Sequence, residues 1–254
     1  VSVVTTGAGF DVEPDMTLQA APPEPPEIVT YTISNYVITP SAPTTEIDVE
    51  FSETVEAWIK IEDSNRNLVN ELYHNSSVTQ DNPNPQTWDG TYGNTTQVPD
   101  DDYYVNVTGV STTTELSVVN NTEIITVDTT APTVTAVSPL NEATDVLVTT
   151  TISATFSEAM AAPTTITTTT FTLDGVAGTV TYDAGTKTAT FDPTTNLAYS
   201  TTYTATITTG AKDLTGISLD EDCIWTFTTE LAPTPTPTPT PVRRGGGGGG
   251  GAPR

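Results

Sequence analysis

Cysteine, histidine and basic residues are scarce in this sequence. Its 254 residues include one Cys, one His and seven Lys and Arg. One Cys and one His exclude an intrachain disulfide, an iron–sulfur cluster and a zinc site built from these ligands. The seven basic residues stand against 32 Asp and Glu, which gives a formal net charge of −25. Nucleic acids and anionic membrane surfaces are therefore poor partners, because binding to either depends on Lys and Arg.

Long apolar runs and helical periodicity are also missing. No run reaches the roughly 18 apolar residues of a membrane-spanning helix, so we expect no such span. Apolar residues do not recur at i, i+3, i+4 and i+7 over several turns. Threonine is abundant instead, and together with Val, Ile and Tyr it favours half-buried strands. The composition predicts an all-β chain.

Proline-rich and glycine-rich stretches divide the chain. A Pro-rich segment ends near Glu27, the connection Thr129-Thr130-Ala131-Pro132 lies near the middle, and a Thr-Pro repeat precedes a run of seven Gly. Such segments are extended or disordered, because they cannot bury enough apolar surface to fold alone. We predict that residues 1–27 are the end of a preceding domain with a Pro-rich linker. Two domains follow, at 28–128 and 129–230. Residues 231–254 form a Thr-Pro rod with a poly-Gly linker.

Alternating apolar and polar residues mark strands in the first predicted domain. The segment 46–51 places Ile47, Val49 and Phe51 on one face, which predicts a half-buried strand. Residues 55–61 repeat this alternation, and a polar turn separates them from a further run at 68–73. This order predicts a β-hairpin.

The second predicted domain shows the same pattern. Segments 151–156 and 202–207 alternate, and the segment 223–228 places Cys223, Trp225 and Phe227 on one face. We predict about seven short strands with turns every 8 to 12 residues, which is typical of a β-sandwich.

A motif in the first domain resembles a known family. Thr87-Trp88-Asp89-Gly90, followed by a loop and Val98-Pro99-Asp100-Asp101-Asp102-Tyr103-Tyr104-Val105, is similar to the Ig-like domain of flagellar hook-capping proteins. Asp102 stands where that family often has Gly. The resemblance implies an Ig-like β-sandwich of a kind that recurs in surface and secreted proteins.

The second domain resembles the bacterial S-layer Ig-like domain of the SbsA type. The matching segments lie in the same order along the whole domain, and include Phe156-Ser157-Glu158-Ala159-Met160, Ala211-Lys212-Asp213-Leu214-Thr215-Gly216 and Trp225-Thr226-Phe227-Thr228-Thr229. This resemblance implies an extracellular β-sandwich that serves as a spacer or wall-layer building block, without catalytic residues. Together the two resemblances predict two tandem Ig-like β-sandwiches.

Candidate catalytic and sugar-binding groups are few. His74, beside Ser76 and Ser77, is the single candidate base for a nucleophile, but neighbours on a strand point to opposite faces, which favours a surface histidine. A sugar groove near Asp89 could be lined by four aromatic residues, Trp88, Tyr92, Tyr103 and Tyr104. The alternative, which we favour, is that Trp88 and Tyr103 anchor the core. We expect no enzyme.

Clustered loop carboxylates form the candidate metal sites. Carboxylate oxygens are the ligands that calcium prefers, and a bound cation would relieve repulsion in an acidic fold. The alternative for each cluster is a solvated turn without an ion, which we favour. Calcium is thus the one cofactor that the sequence suggests, at two clusters, Asp89 with Asp100, Asp101 and Asp102, and Asp213 with Asp220, Glu221 and Asp222.

Asn-x-Ser/Thr sequons occur in the first domain and are absent from the second. If the source cell attaches glycans to Asn, they would lie on outward-facing positions of the first domain. A Thr-rich sequence also produces sequons by chance. The candidates are Asn75, Asn94, Asn106 and Asn120.

Taken together, these features predict a non-catalytic spacer region of an extracellular, cell-surface or S-layer-like protein. Its partners would be neighbouring domains or copies of a surface protein, with glycans as further candidates. Two alternatives stay open: an adhesive module that binds glycan or protein, and an accessory region of a secreted hydrolase.

Overall fold

The computed structural model describes residues 21–78, 85–93 and 95–234. Within these ranges the regular secondary structure is β-strand, as predicted. No helix of the length and apolarity that a membrane span requires occurs in them. Residues 1–20 and 235–254, which include most of the Thr-Pro repeat and the whole poly-Gly run, lie outside the described residues. The chain divides into two compact units between Thr130 and Ala131.

The first unit is a two-sheet β-sandwich. One sheet has the strand order β1-β3-β6, and the other has the order β2-β8-β7-β4-β5. The strands are β1 (Ile28–Ile33), β2 (Val37–Ile38), β3 (Thr45–Phe51), β4 (Val55–Glu62), β5 (Leu68–Val78), β6 (Gln86–Trp88), β7 (Asp101–Ser111) and β8 (Ser117–Val127).

The predicted alternation in β3 is confirmed. Ile47, Val49 and Phe51 are all buried, and they belong to one hydrophobic cluster. Phe51 packs against the backbone of β7 at Gly109, where an added Cβ would lie 2.5 Å from the Phe51 ring. A glycine at this position therefore allows the ring to approach the strand closely.

Trp88 and Tyr103 anchor this core. Both are buried, and their rings meet edge to face with centroids 5.3 Å apart. Trp88 Nε1 donates to the carbonyl of Thr91 at 2.8 Å, and the Tyr103 hydroxyl donates to the carbonyl of Pro99 at 2.9 Å. Burial raises the pKa of Tyr103 to about 12, so the hydroxyl remains a hydrogen-bond donor. These two rings do not line a sugar groove.

The second unit is also a two-sheet β-sandwich, with eight strands where the turn spacing predicted seven. Its sheets have the orders β10-β16-β15-β12 and β13-β14-β11-β9. The strands are β9 (Val134–Ser138), β10 (Ala143–Val146), β11 (Ile152–Phe156), β12 (Phe171–Leu173), β13 (Gly178–Asp183), β14 (Thr188–Pro193), β15 (Thr202–Ile207) and β16 (Cys223–Thr229).

The second core is rich in aromatic rings. Phe171 lies between Phe191 and Trp225, with ring centroids 5.8 and 5.9 Å away. Trp225 and Phe227 are buried as the sequence predicts, whereas Cys223 on the same face is only half-buried. Burial, together with the nearby Glu221 carboxylate, raises the pKa of the Cys223 thiol, which favours the unreactive protonated form.

Candidate functional sites

Asp100 closes the end of the first unit. Its carboxylate accepts hydrogen bonds from Thr129 N at 2.9 Å, from Thr129 Oγ1 at 2.8 Å and from the Thr130 hydroxyl. Burial alone would raise the pKa of Asp100, but the hydrogen bonds from Thr130 and Thr129 outweigh it and hold the pKa below its usual value. This carboxylate therefore ties the chain that follows β8 to the start of β7.

The other predicted calcium ligands of the first unit also make local hydrogen bonds. Asp102 accepts from Thr126 Oγ1 at 2.6 Å, and Asp89 accepts from Thr91 Oγ1 at 2.6 Å. Asp101 Oδ1 accepts from the backbone N–H of Asp102 at 2.8 Å. Within the described residues, no three of these four carboxylates place ligand atoms within 4.8 Å of one another.

Asp213 occupies a different environment, because it is 1% exposed. It lies in the loop between β15 and β16, where its Oδ1 accepts four hydrogen bonds of 2.8 to 2.9 Å from Thr215 N, Thr215 Oγ1, Gly216 N and Ile217 N. Gly216 has a φ of +95°, a backbone conformation that glycine adopts without steric cost. The Asp213 Oδ2 atom is buried and has no hydrogen-bond partner.

The fold brings Glu158 to Asp213. An isolated β-bridge joins Met160 to Asp213, and Ala161 N donates to the carbonyl of Lys212 at 2.8 Å. These contacts hold the segment after β11 beside the Asp213 loop. A carboxylate oxygen of Glu158 and one of Asp213 lie within 4.8 Å of each other.

The remaining predicted ligands, Asp220, Glu221 and Asp222, lie at the surface just before β16. All three are exposed, and they line a shallow pocket together with Pro132 and Ile224. Asp222 Oδ1 accepts a hydrogen bond from Thr209 N at 2.8 Å. Sequence proximity predicted that these acids would accompany Asp213, but Asp213 is buried, and Glu158, which is distant in sequence, lies beside it.

The sequons occupy three different settings, and Asn94 lies outside the described residues. Asn75 is exposed and lies within edge strand β5, which runs further than predicted. Asn120 is half-buried on β8, and its Oδ1 accepts from Thr122 Oγ1 at 3.1 Å. Asn106 is half-buried on β7 and its Nδ2 donates to Glu62 Oε1 at 2.8 Å, so a glycan would have to attach to a nitrogen that already holds this bond.

His74 forms a surface cluster with two neighbours on β4. Its ring stacks on Trp58 with centroids 4.8 Å apart, and its Nε2 lies 3.0 Å from Glu56 Oε1. The imidazole is partly exposed on the outer face of the sheet. Both contacts are those of a surface histidine, in agreement with the interpretation favoured from the sequence.

Residues 128–229 match the family model of the bacterial Ig-like domain. This match supports the Ig-like β-sandwich that the sequence predicted there. The resemblance of the first domain to hook-capping proteins, and the SbsA subtype of the second, stay predictions. The comparison with curated proteins found no match.

Three solved structures are similar to parts of the chain. The N-terminal part of the bacterial S-layer protein SbsC is 23% identical over 40% of this chain and 24% of that chain, with a TM-score of 0.31. Dimeric latent PorU from Porphyromonas gingivalis is 12% identical over 83% of this chain and 24% of that one, with a TM-score of 0.29. The BSP domain of a biofilm associated protein is 16% identical over 83% of this chain and 30% of that chain, with a TM-score of 0.23. The chain thus spans about a quarter of the SbsC and PorU chains.

Proposed function

We propose that this chain is a non-catalytic, load-bearing spacer of an extracellular cell-surface protein. The observation that carries the proposal is shared by both units: a short strand near the start of the unit pairs in parallel with its last strand. In the first unit β2 pairs in parallel with β8. Thr126 N donates to the carbonyl of Tyr36 at 2.9 Å, and Asp128 N donates to the carbonyl of Ile38 at 3.0 Å.

The second unit has the same arrangement between β10 and β16. Glu142 N donates to the carbonyl of Thr226 at 2.7 Å, and Glu230 N donates to the carbonyl of Val146 at 2.9 Å. The Glu230 side chain adds a third contact, because its Oε1 accepts from Val148 N at 3.3 Å.

This parallel pairing suits a chain under tension. When a unit is pulled by its two ends and its first strand has detached, the second strand and the last strand are drawn in opposite directions along their common axis. The hydrogen bonds between them lie across that axis, so they carry the load together and do not open one after another. Forced unfolding is governed by the rate of unfolding, so bonds that must break together raise the force a unit withstands.

Single-molecule pulling of the full chain tests the proposal. We expect two unfolding events, each releasing roughly 30–35 nm for a unit of about 100 residues. Glu230→Pro removes the N–H donor to Val146, so we expect the unfolding force of one event to fall by roughly half while the other is unchanged. Glu230→Ala is the matched control, because it keeps the N–H and removes only the side chain. Equal forces for the two variants would contradict a load-bearing role.

Composition supports the proposed location. The chain is strongly acidic and Thr-rich, and a Thr-Pro repeat follows the second unit. Neighbouring domains or copies of a surface protein would be its partners.

Protease treatment of intact source cells, followed by peptide mapping, tests this location. We expect peptides of this chain in the released fraction. If the cell attaches glycans to Asn, we expect them at Asn75 or Asn120 before Asn106, because the Asn106 side chain already binds Glu62. Release only after cell lysis would contradict the location, and an Asn-linked glycan between residues 131 and 230 would contradict the glycan pattern.

A further inference from the structure

We propose that the second unit binds one calcium ion between the carboxylates of Asp213 and Glu158. The proposal is independent of the load-bearing role, because it depends on the chemistry of these two side chains and not on the parallel pairing of β10 with β16.

The unused oxygen of Asp213 is the first observation. The four N–H and O–H donors of the loop all bind Oδ1, while Oδ2 is buried without a partner. Among the described residues, no Lys, Arg or His forms an ion pair with this carboxylate. A buried charge without a counter-ion is unfavourable. A cation at Oδ2 would satisfy both the oxygen and the charge.

The position of Glu158 is the second observation. Calcium–oxygen distances are 2.3–2.6 Å, so two oxygens bound to one ion can lie up to about 5 Å apart. One carboxylate oxygen of Glu158 lies within 4.8 Å of one of Asp213, which is within reach of one ion. Two carboxylates this close repel each other when both are ionised. A divalent cation between them would attract both carboxylates and outweigh this repulsion.

A purely structural role for Asp213 explains less of the site. An asparagine could accept the same four hydrogen bonds through its single side-chain oxygen, because the loop uses Oδ1 alone. The loop therefore accounts for an oxygen acceptor at this position but not for the negative charge, nor for the second carboxylate beside it. Calcium fits this setting better than magnesium, because calcium accepts irregular sets of oxygen ligands whereas magnesium demands near-octahedral geometry.

Two substitutions test the site in the full chain. Asp213→Asn keeps the Oδ1 acceptor and removes the charge, and Glu158→Gln removes the second carboxylate. Glu221→Gln is the matched control, because it removes an exposed acid of the same unit. The probe is calcium chloride, with binding followed by isothermal titration calorimetry and unfolding by differential scanning calorimetry. Sodium chloride at equal ionic strength controls for screening.

We expect the wild type and Glu221→Gln to bind one more calcium equivalent than either site variant. At a hundredfold excess of calcium over Kd, the melting temperature of the second unit should rise by roughly 10 °C in the wild type. The site variants should lose this shift. Without calcium, Asp213→Asn should melt at or above the wild-type temperature, because the unpaired buried charge is gone.

Three results would overturn the proposal. The first is an equal calcium shift in the wild type and in both site variants. The second is a wild-type shift that sodium chloride reproduces at equal ionic strength, and the third is the absence of any calcium binding by the wild type. If Asp213→Asn fails to fold, the Glu158→Gln variant alone tests the calcium site. We expect this variant to fold, because Glu158 is only half-buried and makes none of the hydrogen bonds to Asp213 Oδ1.

Discussion

Replacing Trp88 by Ala is expected to lower the free energy of unfolding of the first unit by about 3–5 kcal/mol. The indole is 1% exposed, meets Tyr103 edge to face and donates a hydrogen bond to the carbonyl of Thr91. Alanine leaves a cavity that the neighbouring strands fill only in part. It also removes the shorter of the two hydrogen bonds that the Thr91 carbonyl accepts, the other coming from Asn70 Nδ2 at 3.3 Å.

Trp58→Ala is the matched control in the same unit. Trp58 lies on β4 but is only half-buried on the outer face, where it stacks on His74. Its removal should cost markedly less than the loss of Trp88. Calorimetry of the full chain measures both variants, and equal destabilisation by the two would contradict the assignment of Trp88 as a core anchor.

Much of the fold could be predicted because alternation directly reports a half-buried strand. The segment around Ile47, Val49 and Phe51 illustrates this, since its apolar positions are the buried positions of β3. β10 and β12 could not be found in this way. They contain four and three residues, too few for a period of two to stand out. The parallel pairing of β10 with β16 depends on the path of the chain, which periodicity does not encode.

The sequence prediction placed the end of edge strand β5 too early. The sequence predicted that the second strand of the hairpin would end near Tyr73, yet β5 continues to Val78. The residues beyond Tyr73 are mostly polar, and an edge strand accepts them because its outer side faces solvent. Asn75 consequently lies within a strand and not in or beside a loop.

The acid that lies beside Asp213 in the candidate cation site also could not be predicted from the sequence. The sequence marked Asp213 as a ligand and paired it with Asp220, Glu221 and Asp222, because these acids are near in sequence. Glu158 lies far along the chain from Asp213, and it reaches Asp213 only through the bridge between Met160 and Asp213. A pattern of acids within one loop cannot reveal a partner that tertiary folding supplies.

Replacing Phe171 by Ala should destabilise the second unit by about 3–5 kcal/mol. Phe171 is fully buried and packs against the rings of Phe191 and Trp225. It belongs to the short edge strand β12, where its backbone pairs with Ile207 of β15. Ile224→Ala on β16 is the control, because Ile224 is 61% exposed and its truncation should cost little.

The Phe171 variant also tests whether the two predicted domains fold independently. Each unit has its own hydrophobic cluster, so we expect calorimetry of the full chain to resolve two transitions. Phe171→Ala should lower the melting temperature of one transition by more than about 10 °C and leave the other unchanged, while Trp88→Ala should do the reverse. Their effects should add in the double variant, because mutations at distant and independent sites are additive. A single transition that both variants lower together would show that the chain unfolds as one cooperative unit, and would contradict the two-domain prediction.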